Sequence, residues 1–217
     1  MTKSWFPVCL ILVPLTLGLS CENDDRPRES DLARLGGFHE QAMLAQNAGN
    51  YVEAERLHRM AVETMERIPD LPLADQARLL SNLASVLNNL ERAEEALNLL
   101  KRAGELLEQE PTRDAAQLMV FHLNLSRAYA LTGRWAEAED EHRRGAEIME
   151  QNDAFRVFSA DADANLAYIY WKTNRLAEAK TLYEQSLRSF QQAVGPNHPA
   201  VTDLEREYQE LLKATSQ

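Results

Sequence analysis

Cysteine, glycine, isoleucine and positive charge are all scarce in this chain of 217 residues. Two cysteines, Cys9 and Cys21, cannot build a disulfide framework or a four-cysteine zinc site. Glycine stands at 8, about half the ~7% of an average chain, and isoleucine at four, so Leu and Ala must supply the core. That composition favours helix and excludes most β-rich folds. Lys plus Arg number 23 against 34 Asp plus Glu, a formal net charge of −11. Such a chain lacks the basic face that displaces counterions from a phosphate backbone, so no nucleic-acid partner is expected.

Charge is missing altogether between Ser4 and Cys21, and the run from Trp5 to Leu19 is almost wholly apolar. Fifteen residues are too few to cross a ~30 Å hydrocarbon core comfortably, and Pro7 and Pro14 would interrupt a helix there. A short apolar run behind Lys3 reads as a secretory signal over residues 1–20. A polar tether follows over 21–30. The end of the run, Leu17-Gly18-Leu19-Ser20-Cys21, resembles a bacterial lipoprotein signal, in which a small residue precedes the cysteine that is acylated. Gly18 stands where that pattern usually has Leu. The resemblance implies lipidation of Cys21 and a place in the cell envelope, periplasmic or surface-facing and held on a bacterial membrane. The alternatives are a secreted soluble protein or an uncleaved anchor helix.

The remainder is repetitive. A Glu-Ala pair recurs at Ala54, Ala96, Ala138 and Ala179, at spacings of 42, 42 and 41 residues. Upstream, Asn82-Leu83-Ala84, Asn124-Leu125-Ser126 and Asn165-Leu166-Ala167 keep the same register, while the first unit has the degenerate Glu40-Gln41-Ala42. Terminal repeats are expected to be atypical, because one of their faces lacks a neighbour. Each unit reads as two helices. Leu83, Val86, Leu87 and Leu90 follow the i, i+3, i+4, i+7 rule, as do Ala54, Leu57, Ala61 and Met65, or Ala96, Leu99, Ala103 and Leu106. Gly49 and Gly133 fall at the turns within units, where positive φ is cheap for glycine. Proline is confined to connections: Pro69, Pro72, Pro111, Pro196 and Pro199. From Pro199 onward one more amphipathic helix is predicted, with Val201, Leu204, Tyr208, Leu211 and Leu212 on its apolar face. It is suited to close the stack.

Leu166-Ala167-x2-Tyr170, Leu125-Ser126-x2-Tyr129 and Ala179-x3-Tyr183 resemble the tetratricopeptide repeat (TPR). The period is longer than that family's usual 34 and is similar to the arrays of the kinesin light chain kind. The expected fold is an all-α solenoid of four TPR-like repeats over 31–198, with a capping helix and tail over 199–217. The resemblance implies a non-enzymatic protein-binding adaptor with no cofactor, whose first helices line a concave groove. The alternative is a structural subunit of an envelope, secretion or pilus-type assembly, docked through its convex face or cap.

No catalytic constellation stands out. Gly-x-Ser-x-Gly, a phosphate-cradling loop and Ser-x-x-Lys are all missing, and His39-Glu40 has Met43 where a metalloprotease helix needs a second histidine. His58 and His142 occupy one place in the second helices of the first and third units and read as packing residues. The best functional feature is the column Asn82, Asn124 and Asn165. Adjacent helices pack ~8–10 Å apart and an extended peptide rises ~3.3 Å per residue. One amide would thus meet a peptide backbone about every third residue, as donor and acceptor. Equally, these amides could bond a neighbouring helix and organise the stack. Ser85, Arg127 and Tyr168, then Asn89 and Lys172, lie one and two turns further along, with the cations Arg127 and Lys172 suited to an acidic ligand. The Lys-Asn pair of a carboxylate clamp is replaced by His39 and Met43, so that mode of binding is not expected.

Overall fold

The computed structural model describes residues 26–112 and 114–215. The predicted signal and the lipidation site Cys21 lie outside them. Among the described residues there are nine α-helices and no strand: α1 (Arg26–Asn47), α2 (Tyr51–Met65), α3 (Leu73–Asn89), α4 (Ala93–Gln109), α5 (Ala115–Leu131), α6 (Trp135–Glu150), α7 (Ser159–Lys172), α8 (Leu176–Val194) and α9 (Pro199–Thr215). A short 3₁₀ helix, Asp153–Phe158, connects α6 to α7. Helices pair in chain order, α1 with α2 through α7 with α8, and α9 packs on α8. The all-α solenoid of four helical pairs and a cap is therefore the observed architecture. α1 starts at Arg26, so the second half of the expected tether is helical; Glu29 in its first turn suits the positive end of the helix dipole.

The turn inside each pair has one geometry. A residue with positive φ ends the first helix: Gly49 (74°), Glu91 (59°), Gly133 (76°) and Asn174 (64°). The next N–H then reaches back five residues, from Asn50 to the Ala45 carbonyl, Arg92 to Leu87, Arg134 to Tyr129 and Arg175 to Tyr170, at 2.9, 2.9, 2.9 and 2.8 Å. This satisfies a carbonyl that a helix end would otherwise leave open. Two of the four turns thus use a non-glycine residue, which the spacing of Gly49 and Gly133 alone did not reveal.

The pairs are held by small residues at the crossing and larger ones beyond it. Ala54, Ala96, Ala138 and Ala179 are wholly buried, and so are Ala42, Ala84, Ser126 and Ala167 on the partner helices. On α4 the buried leucines are Leu100 and Leu107, while the predicted Leu99 and Leu106 are partly buried at the flank. The reason is that α4 touches both α3 and α5, so its apolar stripe is wider than one face. At the end of the stack Val201, Leu204 and Leu211 of α9 are fully buried against α8. Each such leucine contributes about 1.5–3 kcal/mol.

Between pairs, long side chains bridge the outer helices. Arg92 bonds Glu55 of the preceding pair at 2.6 Å and Glu95 of its own at 2.6 Å. Arg175 repeats this with Glu139 at 2.7 Å and Glu178 at 2.6 Å. Arg134, at the same place in the third pair, bonds Glu137 and stacks 4.2 Å over the Tyr129 ring. Its counterpart of Glu55 would be Leu97, so the middle junction lacks this inter-repeat ion pair. The bridges are exposed and worth little singly.

His58 is fully buried with neither ring nitrogen hydrogen-bonded, 6.1 Å from the His39 ring. Burial, and then the neighbouring His39, lowers it from 6.5 to about 3; burial lowers His142 to about 4.

Two predictions follow from these positions. A Cβ at Gly49 or Gly36 meets nothing within 4 Å, but only Gly49 has positive φ. Gly49→Ala is expected to cost about 1 kcal/mol and Gly36→Ala, inside a helix, to gain up to about 1 kcal/mol, read from denaturant midpoints. The second prediction concerns acid. Between the unfolded value of 6.5 and the folded values, unfolding takes up one proton on His58 and one on His142. Asp163 opposes them: burial raises it from 3.8 to about 6, so unfolding releases a proton there over that interval. Stability should therefore fall as pH drops from 6.5 to 4. His58→Leu, which copies Leu100 of the next pair, should flatten the fall by up to about 1.4 kcal/mol per pH unit. A midpoint series with the same slope in both proteins would contradict this.

Candidate functional site

The odd-numbered helices form the inner layer. α3 packs directly on α5 and α5 on α7, whereas no two even-numbered helices approach as closely. Closer spacing on one side makes that side concave, so the predicted Asn column lies on the inner layer.

Asn82, Asn124 and Asn165 are 2%, 1% and 8% exposed. Two of them hold the stack by their amide N–H groups. Asn124 Nδ2 donates to the Ser81 carbonyl at 3.3 Å, and Asn165 Nδ2 donates to Ser126 Oγ at 3.0 Å. Their Oδ1 atoms are buried with no hydrogen-bond partner, and so is Asn82 Nδ2. The column therefore divides its hydrogen-bonding capacity: the donor half of Asn124 and Asn165 joins consecutive helices, and the acceptor half is left over.

The neighbouring rows extend this surface. Gln46 of α1 donates from Nε2 to Ser85 Oγ at 3.4 Å, while its Oε1 is unmatched. Asn88 donates to the Asn124 carbonyl at 3.0 Å. Asn89, 4% exposed, has both Nδ2 and Oδ1 buried without a partner. Gln46 and Asn88 were not singled out from sequence, although they share one place in the first two repeats and could have been found by reading that column. Glu40, the first repeat's counterpart of Asn82, is exposed.

Arg127, 6% exposed, brings a cation into this layer. Burial lowers it to about 10, against the opposing pull of Tyr51, Glu207, Asp161 and Tyr168. Tyr168 is buried too, raised to about 12 by desolvation, and lies 6.1 Å from the Trp135 ring and 6.2 Å from the Trp171 ring. Lys172 is exposed, with Nζ 4.1 Å over the Trp171 ring and 5.2 Å over that of Tyr168. The structure thus joins Tyr168, Trp171 and Lys172 in an aromatic and cationic corner at the end of α7. Of the predicted residues, Asn82, Asn124, Asn165, Ser85, Asn89 and Arg127 line the more amide-rich part.

Buried amide atoms without partners are rare in native folds, because each costs about 1–3 kcal/mol. Here they fall on one layer at Gln46, Asn82, Asn88, Asn89, Asn124 and Asn165. Among the described residues no group of three His, Cys, Asp or Glu side chains could hold a metal ion, and no helix is long and apolar enough to cross a membrane.

Comparison with known proteins gives the same architecture. Two family models described as tetratricopeptide repeat match residues 75–151 and 162–200. A curated relative, tetratricopeptide repeat protein 19 homolog, mitochondrial, of Drosophila melanogaster, is 27% identical over 128 residues. That match takes in 58% of this chain and 34% of the relative, so the chain spans about a third of that protein's length. With four helical pairs in one register, a closing helix and two stretches that match the repeat's own models, the chain is an all-α solenoid of tetratricopeptide repeats.

Proposed function

We propose that this solenoid is a non-enzymatic adaptor that captures an extended segment of another protein along its inner layer. The observation that supports the reading is the cluster of unmatched buried amides on α1, α3, α5 and α7. A peptide backbone offers one donor and one acceptor per residue, which is the complement such amides lack. Asn82, Asn89, Asn124 and Asn165 would take the backbone. Arg127, Tyr168 and Lys172 would favour an acidic or aromatic side chain, and Ser85 would contact the ligand beside Arg127. The 42-residue period fits the long-repeat variant of the family.

Asn89→Ala tests the groove, because that side chain has no hydrogen bond to lose within the protein. The intact chain is panned against a displayed library of random peptides, and the selected peptides are measured by fluorescence anisotropy. Asn89→Ala should weaken them at least tenfold while moving the unfolding midpoint by no more than ~1 kcal/mol. Unchanged affinity would overturn groove docking.

We further propose that the chain is exported and held by lipid at Cys21, with the acidic body standing off an anionic membrane. Residues 31–217 hold 20 basic and 30 acidic side chains, so −10 of the −11 belongs to that body. Two acyl chains anchor stably where one is marginal. Expression in a bacterium fed labelled palmitate should label the wild type and not Cys21→Ser. Label on neither would refute acylation.

A further inference from the structure

The three junctions between helical pairs can be compared place by place. At the α2–α3 junction Val62 and Leu79 pack in one cluster. At α4–α5 the corresponding residues are Gly104 and Phe121, and the ring fits the glycine so closely that a Cβ there would lie 3.2 Å from Phe121 Cζ. At α6–α7 both places are alanine, Ala146 and Ala162. An aromatic ring has become a methyl group, and a cleft of about 240 Å³ opens there, bordered also by His142, Met149, Glu150, Ser159 and Asp163.

The polar groups of this cleft also depart from the other repeats. His142 stands where the preceding pair has Leu100, Ser159 where α5 has Leu118, and Asp163 where α5 has His122. His122 is engaged, its Nδ1 2.6 Å from Glu141 Oε2. Asp163 makes no hydrogen bond or ion pair among the described residues, and burial raises it to about 6. His142 is 6% exposed and its buried Nδ1 has no partner. Among the described residues no cation is recorded beside the half-buried Asp163 carboxylate, and such burial costs stability at neutral pH. So does an orphan imidazole nitrogen. Both costs fall at one cleft, where a ligand would remove them.

The lining defines that ligand. Two carboxylates, Asp163 and Glu150, repel anions and attract a cation with N–H donors. Ala146, Ala162 and Met149 supply apolar walls that suit an aliphatic stem. A bare metal ion fits poorly, since among the described residues no three ligating side chains converge. We propose that the α6–α7 cleft binds a single organic cation of side-chain size, an alkylammonium or guanidinium on an aliphatic stem, held by Asp163 and Glu150 with His142 beside them. The site is separate from the amide layer, because it uses the first turns of α7 and the outer helix α6.

The test is a titration of the intact ¹⁵N-labelled chain in neutral-detergent micelles at pH 7.5. Nα-acetylated argininamide (argininamide below) is one probe, Nα-acetylated citrullinamide (citrullinamide below) its uncharged counterpart, and an acetylated Gly-Arg-Gly amide the peptide-borne form. Saturable shifts are expected at the Ala146, Ser159 and Ala162 amides with argininamide, at least tenfold weaker with citrullinamide. Asp163→Asn should weaken argininamide at least tenfold while its unfolding midpoint stays level or rises, which separates loss of binding from loss of fold. Ala162→Phe, which restores the ring of the preceding repeat, should abolish the shifts. Tighter binding of the peptide assigns the cation to a partner's side chain, and tighter binding of argininamide assigns it to a free small molecule. No saturable shift, equal binding of citrullinamide, or an unaffected Asp163→Asn would overturn the proposal.

Discussion

The crossing of each helical pair rests on two facing columns of small residues, Ala54, Ala96, Ala138 and Ala179 against Ala42, Ala84, Ser126 and Ala167, all fully buried. Small residues let the two backbones approach closely, and the Ser126 hydroxyl bonds straight to the Ala138 carbonyl across the crossing at 2.7 Å. A bulkier residue there would splay the pair and shift the side chains on both helices. Because overpacking costs typically 1–3 kcal/mol, the columns set helix spacing before any leucine is placed. The remaining layers depend on it: the reach of Asn124 to Ser81, the reach of Arg92 to Glu55, and the closure of α9.

A solenoid with identical junctions would be an inert rod, and this one becomes specific where its columns break. The inner layer keeps its amides but changes the next row from Ser85 to Arg127 to Tyr168. The outer layer keeps its arginines, yet Leu97 interrupts the ion-pair ladder. The α6–α7 junction exchanges a ring for a methyl group and apolar side chains for His142 and Ser159. In each case the helices absorb the change because stability is summed over nearest neighbours. Functional groups can therefore be placed at one junction while the others carry the fold.

The inner layer also shows why a residue's column does not reveal its bonds. Asn124 and Asn165 were expected either to meet a ligand or to organise the stack. Their donors bond the preceding helix, and their carbonyl oxygens are unmatched. An amide has two ends, and the spacing of a repeat says only that both ends sit on one layer. Which end faces the neighbour depends on the groups that neighbour presents, since a half-turn about χ2 exchanges the amide oxygen and nitrogen. The depth of Leu100 and Leu107 relative to Leu99 and Leu106 depends instead on which face α4 turns toward α3 and α5.

The sequence by itself determined the helical class, the four-unit register, the turns at Gly49 and Gly133 and the closing helix. Those follow from local periodicity and from backbone freedoms that belong to single residues. It also marked Asn82, Asn124 and Asn165 as one column, since a constant period brings equal places together. Tertiary structure decided the rest: that Glu91 and Asn174 adopt the same positive φ as the glycines, that Gln46 and Asn88 join the amide layer, and that His142 and Asp163 share a cleft. These depend on which volume is filled by residues of another helix. A cleft comes from a missing ring, and its presence is fixed only when the neighbouring helix is in place.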